Sequence, residues 1–243
     1  MSRIQHVLWW LAALALAPLT LPLALHTRRT ALRLPPAVGE VRGLAGAGLP
    51  GEPFRLLLIG ESTVVGVGVE ALDQALAACL ARELSRRLQR SVRWHACGEN
   101  GITAVQACQR LLPGLSEERA DLALLVFGVN DTTHLTSSRH WRAALGKMIG
   151  QLRGQGMQVA CSGVPPLQHF RALPWLLRRL LGWRAGLMDR EVRALAQRMQ
   201  VAYCGLNLTF EAQYLAEDGY HPSALGYRLW ADGLADQLVR CAE

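Results

Sequence analysis

Short apolar runs alternating with longer amphipathic ones predict an α/β fold, a three-layer α/β/α arrangement built on a five-stranded parallel sheet. Strands separated by helices need crossover connections, and these place helices on both faces of a parallel sheet. A third observation supports the same class: polar, glycine-bearing segments follow the runs, at the sheet edge where such folds bind ligands. A chain of 243 residues, 51% hydrophobic and 19% charged, is too apolar to be disordered and too long for a disulfide-stapled miniprotein. It suits one domain with an appendage.

The appendage comes first. Val7 to Leu25 reads VLWWLAALALAPLTLPLAL without a charge. As a helix these 19 residues reach about 28 Å, close to a bilayer's hydrocarbon thickness. Residues 1–27 are therefore expected to be a membrane anchor or a secretory signal. Cleavage after Ala15-Leu16-Ala17 would leave Pro18 at the new terminus, which favours an uncleaved anchor. Arg28, Arg29 and Arg33 outnumber Arg3, pointing to a cytoplasmic domain, whereas a basic start before a short apolar stretch is also the form of an export signal. Residues 28–52, rich in Pro and Gly, read as a linker, and 53–243 as the functional domain.

Within that domain Phe54–Ile59, Val92–His95, Leu122–Phe127, Val159–Ser162 and Val201–Cys204 read as strands. Leu72–Gln89, Thr103–Leu112, Arg139–Arg153 and Arg184–Gln200 read as helices, and Pro222–Cys241 as a last one.

Composition narrows the chemistry. The +7 net charge is an arginine excess, since Lys147 is the only lysine, and beyond residue 52 it falls to +4, which calls for no nucleic-acid partner. No GxxxxGK[ST] surrounds Lys147, which removes a P-loop enzyme. Six cysteines lack CxxC spacing, and Cys79, inside ALAACLA, reads as a buried thiol. His95, His134, His140 and His169 form no HExxH pair, so neither a metal nor another cofactor is implied.

Four segments at the sheet edge carry the chemistry: Gly60-Glu61-Ser62-Thr63, Gly98-Glu99-Asn100-Gly101-Ile102-Thr103, Gly128-Val129-Asn130-Asp131 and Asp218-Gly219-Tyr220-His221-Pro222. Singly, Ser62 reads as a helix cap, Asn130-Asp131 and Asp218-Gly219 as turns, and His221 as a surface histidine. Together they assemble a nucleophile, a base and its orienting acid, and donors for an oxyanion. A serine hydroxyl needs a base within hydrogen-bond reach, and the base needs a third group to set its tautomer. Asp218 and His221, three apart, can meet locally. The alkoxide that develops in acyl transfer requires preorganised donors, which the Ser62 and Gly101 backbone amides and the Asn130 side chain can supply.

In order and spacing these blocks resemble the SGNH hydrolases, the GDSL-type esterases and lipases, over about residues 54–243. The resemblance implies a flavodoxin-like sheet and a serine ester hydrolase with Ser62 as nucleophile, His221 as base, Asp218 as its partner, and Gly101 and Asn130 with Ser62 in the oxyanion hole. One departure stands out, Gly-Glu-Ser for the family's usual Gly-Asp-Ser. An α/β-hydrolase is disfavoured because Gly60-Glu61-Ser62-Thr63-Val64 lacks the second glycine of GxSxG. An O-acyltransferase or carbohydrate deacetylase on the same scaffold, or a non-catalytic membrane-tethered binding module, remains an alternative.

The expected partners are a small-molecule or lipid ester and, through the N-terminal segment, a membrane. Residues 164–188, with Trp175–Trp183 as a short amphipathic helix after Pro174, are expected either to form one wall of the acyl pocket through Trp175 and Leu176 or to cover the sheet.

Overall fold

A computed structural model describes residues 2–206 and 210–242, with side chains described for 4–206 and 210–239. In chain order the elements are α1 (Ser2–Thr30), β1 (Arg42–Ala45), β2 (Phe54–Gly60), α2 (Leu76–Leu88), β3 (Val92–Gly98), α3 (Ala104–Arg110) and β4 (Leu122–Val126). They continue through α4 (Val129–Thr133), α5 (Ser138–Gly154), β5 (Gln158–Ser162), α6 (Trp175–Met199), β6 (Ala202–Cys204) and α7 (Ala224–Ala242). The sheet order is β1-β3-β2-β4-β5-β6, with every pair parallel except β1 with β3.

The two-residue period of a strand divides the central side chains between two cores. Leu57, Ile59, Ala123 and Leu125 point to one face, where α3, α5 and α6 cover them. Leu56, Leu58, Leu122 and Leu124 point to the other, under α2 and α7. This two-sided burial explains why β2 and β4 read as unbroken apolar runs. Local signals set several ends: Thr103 caps α3 in a reciprocal box with Gln106, and Ser137 caps α5. Cys79 is buried in α2.

Two expectations change. The parallel strands number five as predicted, but β1 adds a sixth, antiparallel strand from within the stretch read as a linker, pairing Arg42 with His95 and Ala45 with Val92. Its four residues carry no period to reveal it, and Gly43 is there because a Cβ would lie 2.7 Å from the Trp94 ring. The break expected near residue 184 is also absent. Trp175–Met199 is one 25-residue helix, and its Gly182 presses against Gln168, leaving 2.6 Å for a Cβ.

The chain passes from β2 to β3 on one side and then crosses to β4 on the other. The β2–β4 boundary is therefore the topological switch point, where the loops part and open a crevice.

Candidate active site

β2 delivers Gly60-Glu61-Ser62 to that crevice. A side chain at Gly60 would stand 2.4 Å from the Val126 carbonyl oxygen, so only glycine lets β2 and β4 run together to their ends. Glu61 then turns inward, 3% exposed, and its two carboxyl oxygens accept the backbone N–H groups of Val129 and Asn130, both at 2.9 Å. Burial pushes the Glu61 carboxyl up to about 8, against the opposing pull of these two amides. The residue before Ser62 thereby ties the nucleophile loop to the first turn of α4, which carries Asn130.

Ser62 is 8% exposed and lies in a run of turns. The first helical residues come only at Leu72–Gln74, so Ser62 does not serve as a cap, and its Oγ lies 3.0 Å from His221 Nε2. His221 arrives from the loop before α7. Gly219, at φ +63°, turns the chain back so that Asp218 Oδ1 accepts the N–H groups of Tyr220 and His221, at 2.9 and 3.0 Å. Asp218 Oδ2 lies 2.6 Å from His221 Nδ1. Burial works to raise the Asp218 carboxyl, but the His221 side chain and the two backbone amides outweigh it and hold the group below its ordinary value. An ionised Asp218 accepts hydrogen bonds only, so Nδ1 carries the ring proton and Nε2 faces the serine hydroxyl as an acceptor.

The serine and histidine loops are locked together from behind. Tyr227 of α7 donates its hydroxyl to the Val67 carbonyl at 2.7 Å. Gly68, at φ +105°, approaches so closely that a Cβ would lie 2.4 Å from the Pro222 carbonyl oxygen. On the other side Asn130 Nδ2 donates to the Ile102 carbonyl at 3.1 Å, joining α4 to the loop of Gly101. Gly101 has φ +81°, as its turn requires. Asp131 anchors the start of α3, which follows that loop, by accepting the Ala104 N–H at 2.9 Å.

An apolar cavity opens beside Ser62 and His221, walled by Pro165, Phe170, Leu206, Phe210, Tyr214, Leu215, Leu229 and Trp230. Trp175 and Leu176 do not line it. Trp175 is 67% exposed, and Leu176 borders a groove against Ala12 and Leu16 of α1, because α6 begins beyond the cavity and leans toward α1. Of the wall expected in residues 164–188, Pro165 and Phe170 are in place. Leu229 and Trp230 were not anticipated, although their spacing after Gly226 marks one face of the last helix.

Known proteins share this architecture. The lipase/acylhydrolase from Enterococcus faecalis superposes with a TM-score of 0.63 at 19% identity, covering 77% of this chain and 96% of that one. The structure of TesA does so with a TM-score of 0.64 at 20% identity, covering 77% and 99%. Among sequences, the GDSL-like esterase Rv1075c of Mycobacterium tuberculosis is 26% identical over 190 residues, 74% of this chain and 60% of that protein. The chain thus spans about three-fifths of the length of that curated relative. A family model for GDSL-like lipases and acylhydrolases matches residues 58–229, the stretch from β2 into α7 that supplies Ser62, Asn130, Asp218 and His221. With most of its length under that match, the chain belongs to the GDSL-like lipase/acylhydrolase family.

Proposed function

We propose that the protein hydrolyses carboxylic esters through an acyl-Ser62 intermediate. The observation that carries this reading is the continuous hydrogen-bonded chain from Asp218 through His221 to Ser62 at the mouth of an apolar cavity. Ser62 Oγ attacks the ester carbonyl carbon as its proton passes to His221 Nε2, and Asp218 stabilises the imidazolium. The carbonyl oxygen becomes an alkoxide held by the Ser62 and Gly101 backbone amides and the Asn130 side chain. Collapse breaks the bond to the alcohol oxygen, which takes the proton from His221. Water then repeats the sequence on the acyl-serine, releasing the carboxylic acid and restoring the serine. The cavity walls suit the acyl chain, which gains about 0.8 kcal/mol for each methylene buried.

The decisive experiment is fluorophosphonate labelling with peptide mapping, followed by a panel of activated esters from acetate to dodecanoate. The adduct is expected on Ser62 and is expected to be lost in Ser62→Ala together with turnover. Turnover retained in Ser62→Ala overturns the mechanism.

A further inference from the structure

The N-terminal helix is joined to the domain in a way that restricts how it meets a membrane. Among the described residues one helix, Ile4–Thr30, is long and apolar enough to cross a bilayer. Yet its early turns are docked. Trp9 is 1% exposed, donates its indole N–H to the Leu180 carbonyl at 2.8 Å, and lies under the guanidinium of Arg184 at 4.6 Å. His6 meets buried Glu191 at 3.1 Å, and Gln5 accepts from Arg190.

Just beyond the helix the chain is held again. Ala37 and Val38 donate their backbone N–H groups to the carbonyls of Val65 and Glu70, in the loop that follows Ser62. Six residues lie between Thr30 and Ala37, and the seven steps along the chain reach at most about 25 Å. A hydrocarbon core is about 30 Å thick. A helix whose start and sequel both sit on one domain has too little chain to cross and return.

Its exposure pattern fits another arrangement. Gln5, His6, Trp9, Ala12, Leu16, Thr20 and Leu23 form the less exposed face. Ile4, Val7, Leu8, Leu11, Leu14, Leu21 and Leu25 fall at helical spacing on the opposite face, all at least half exposed. This outer stripe covers 22 residues, about 33 Å. Exposed Arg28, Arg29 and Arg33 stand at its end, and exposed Arg179 and Trp183 of α6 border a groove against Ala12 and Leu16 on the helix's inner side.

We propose that α1 is retained and lies in the plane of one leaflet of an anionic bilayer, its inner face on α6 and its outer stripe among the acyl chains. Arg28, Arg29 and Arg33 meet anionic headgroups and exposed Trp183 sits at the interface. The helix then neither spans the membrane nor is removed.

Two epitope tags test this in the full-length protein, one at the N-terminus and one at Gly48, around which there is open space. Both tags are expected in the mature protein and on the same side of sealed membranes under protease. Tags on opposite sides, or loss of the N-terminal tag, overturn the proposal. With the purified protein, sedimentation is expected with vesicles containing phosphatidylglycerol and to weaken in high salt. The triple variant Leu8→Gln, Leu11→Gln, Leu14→Gln is expected to bind them at least about tenfold less while turning over a soluble acetate ester as before. Absence of vesicle binding, or self-association through α1 in its place, also overturns it. Failure of the ester-hydrolase reading shows instead as absent turnover with vesicle binding intact.

Discussion

Ser62 and His221 are separated by 159 positions in sequence and by 3.0 Å in space, and the proton they share is governed by Asp218. Replacing Asp218 with Asn keeps the shape but turns an obligatory acceptor into a group that can donate to Nδ1. The imidazole then presents the wrong tautomer, and kcat is expected to fall by about 10⁴-fold with KM little changed. Asn130→Ala is expected to cost about 10²–10³-fold in kcat, with a loss below threefold returning Asn130 to a purely structural role. Charge makes a separate prediction. A carboxyl with a lowered folded-state pKa contributes stability above its unfolded value and loses it as pH falls through the folded one, so Asp218's contribution disappears only below about pH 4. Glu61 has the opposite sign. Its pKa is pushed up to about 8, so between about 4.5 and 8 the folded protein keeps a proton that the unfolded chain releases, and stability declines as pH rises through that window. Glu61→Gln is expected to remove this slope in a series of melting temperatures. It also lowers stability at acid pH by about 1–3 kcal/mol, because the amide nitrogen cannot accept from Val129 or Asn130.

At the scale of elements, the site is a meeting of two loops held at glycine distance. Gly68→Ala forces a Cβ against the Pro222 carbonyl at a positive φ, so the His221 loop must retreat from Ser62. The expected result is a large fall in kcat for every ester regardless of chain length. The acyl wall behaves differently. Phe210→Ala removes an aromatic face from the cavity, and the ratio of octanoate to acetate kcat/KM is expected to drop. The double change Trp175→Ser, Leu176→Ser is expected to leave that ratio unchanged, since neither side chain lines the cavity. An ester panel on the two variants separates these outcomes.

For the molecule as a whole, the sheet order and the docking of α1 are the organising facts. The crossing from the β3 side of β2 to the β4 side places Ser62 and Asn130 on neighbouring strand ends. α7 returns against α2, where Arg87 reaches Glu83, Asp232 and Asp236, so the helix that follows His221 is clasped to the helix that follows the Ser62 loop. α1 adds a third contact to the outer face of α6. Trp9→Ala is expected to lower the melting temperature of the full-length protein, since it empties a buried site and uncovers Arg184. An unchanged transition would mean that α1 melts apart from the domain.

Much of this was legible in the residues themselves. Apolar runs of strand length between amphipathic stretches determine the parallel core, because two-sided burial leaves an unmistakable pattern at β2 and β4. Ser62, Gly101, Asn130, Asp218 and His221 were readable because each is punctuated by glycine or proline at a strand or helix end, where local chemistry dictates the backbone. Tertiary structure alone decided the rest. The edge strand β1 is ordered by pairing with β3, the acyl wall is assembled from segments distant in sequence, and Glu61 finds its amide partners 68 and 69 positions away. The apolar N-terminal helix has the length and composition of an anchor or a signal, and only the tertiary structure shows that its Trp9 face packs on α6, because hydrophobicity reports what leaves water and not what covers it.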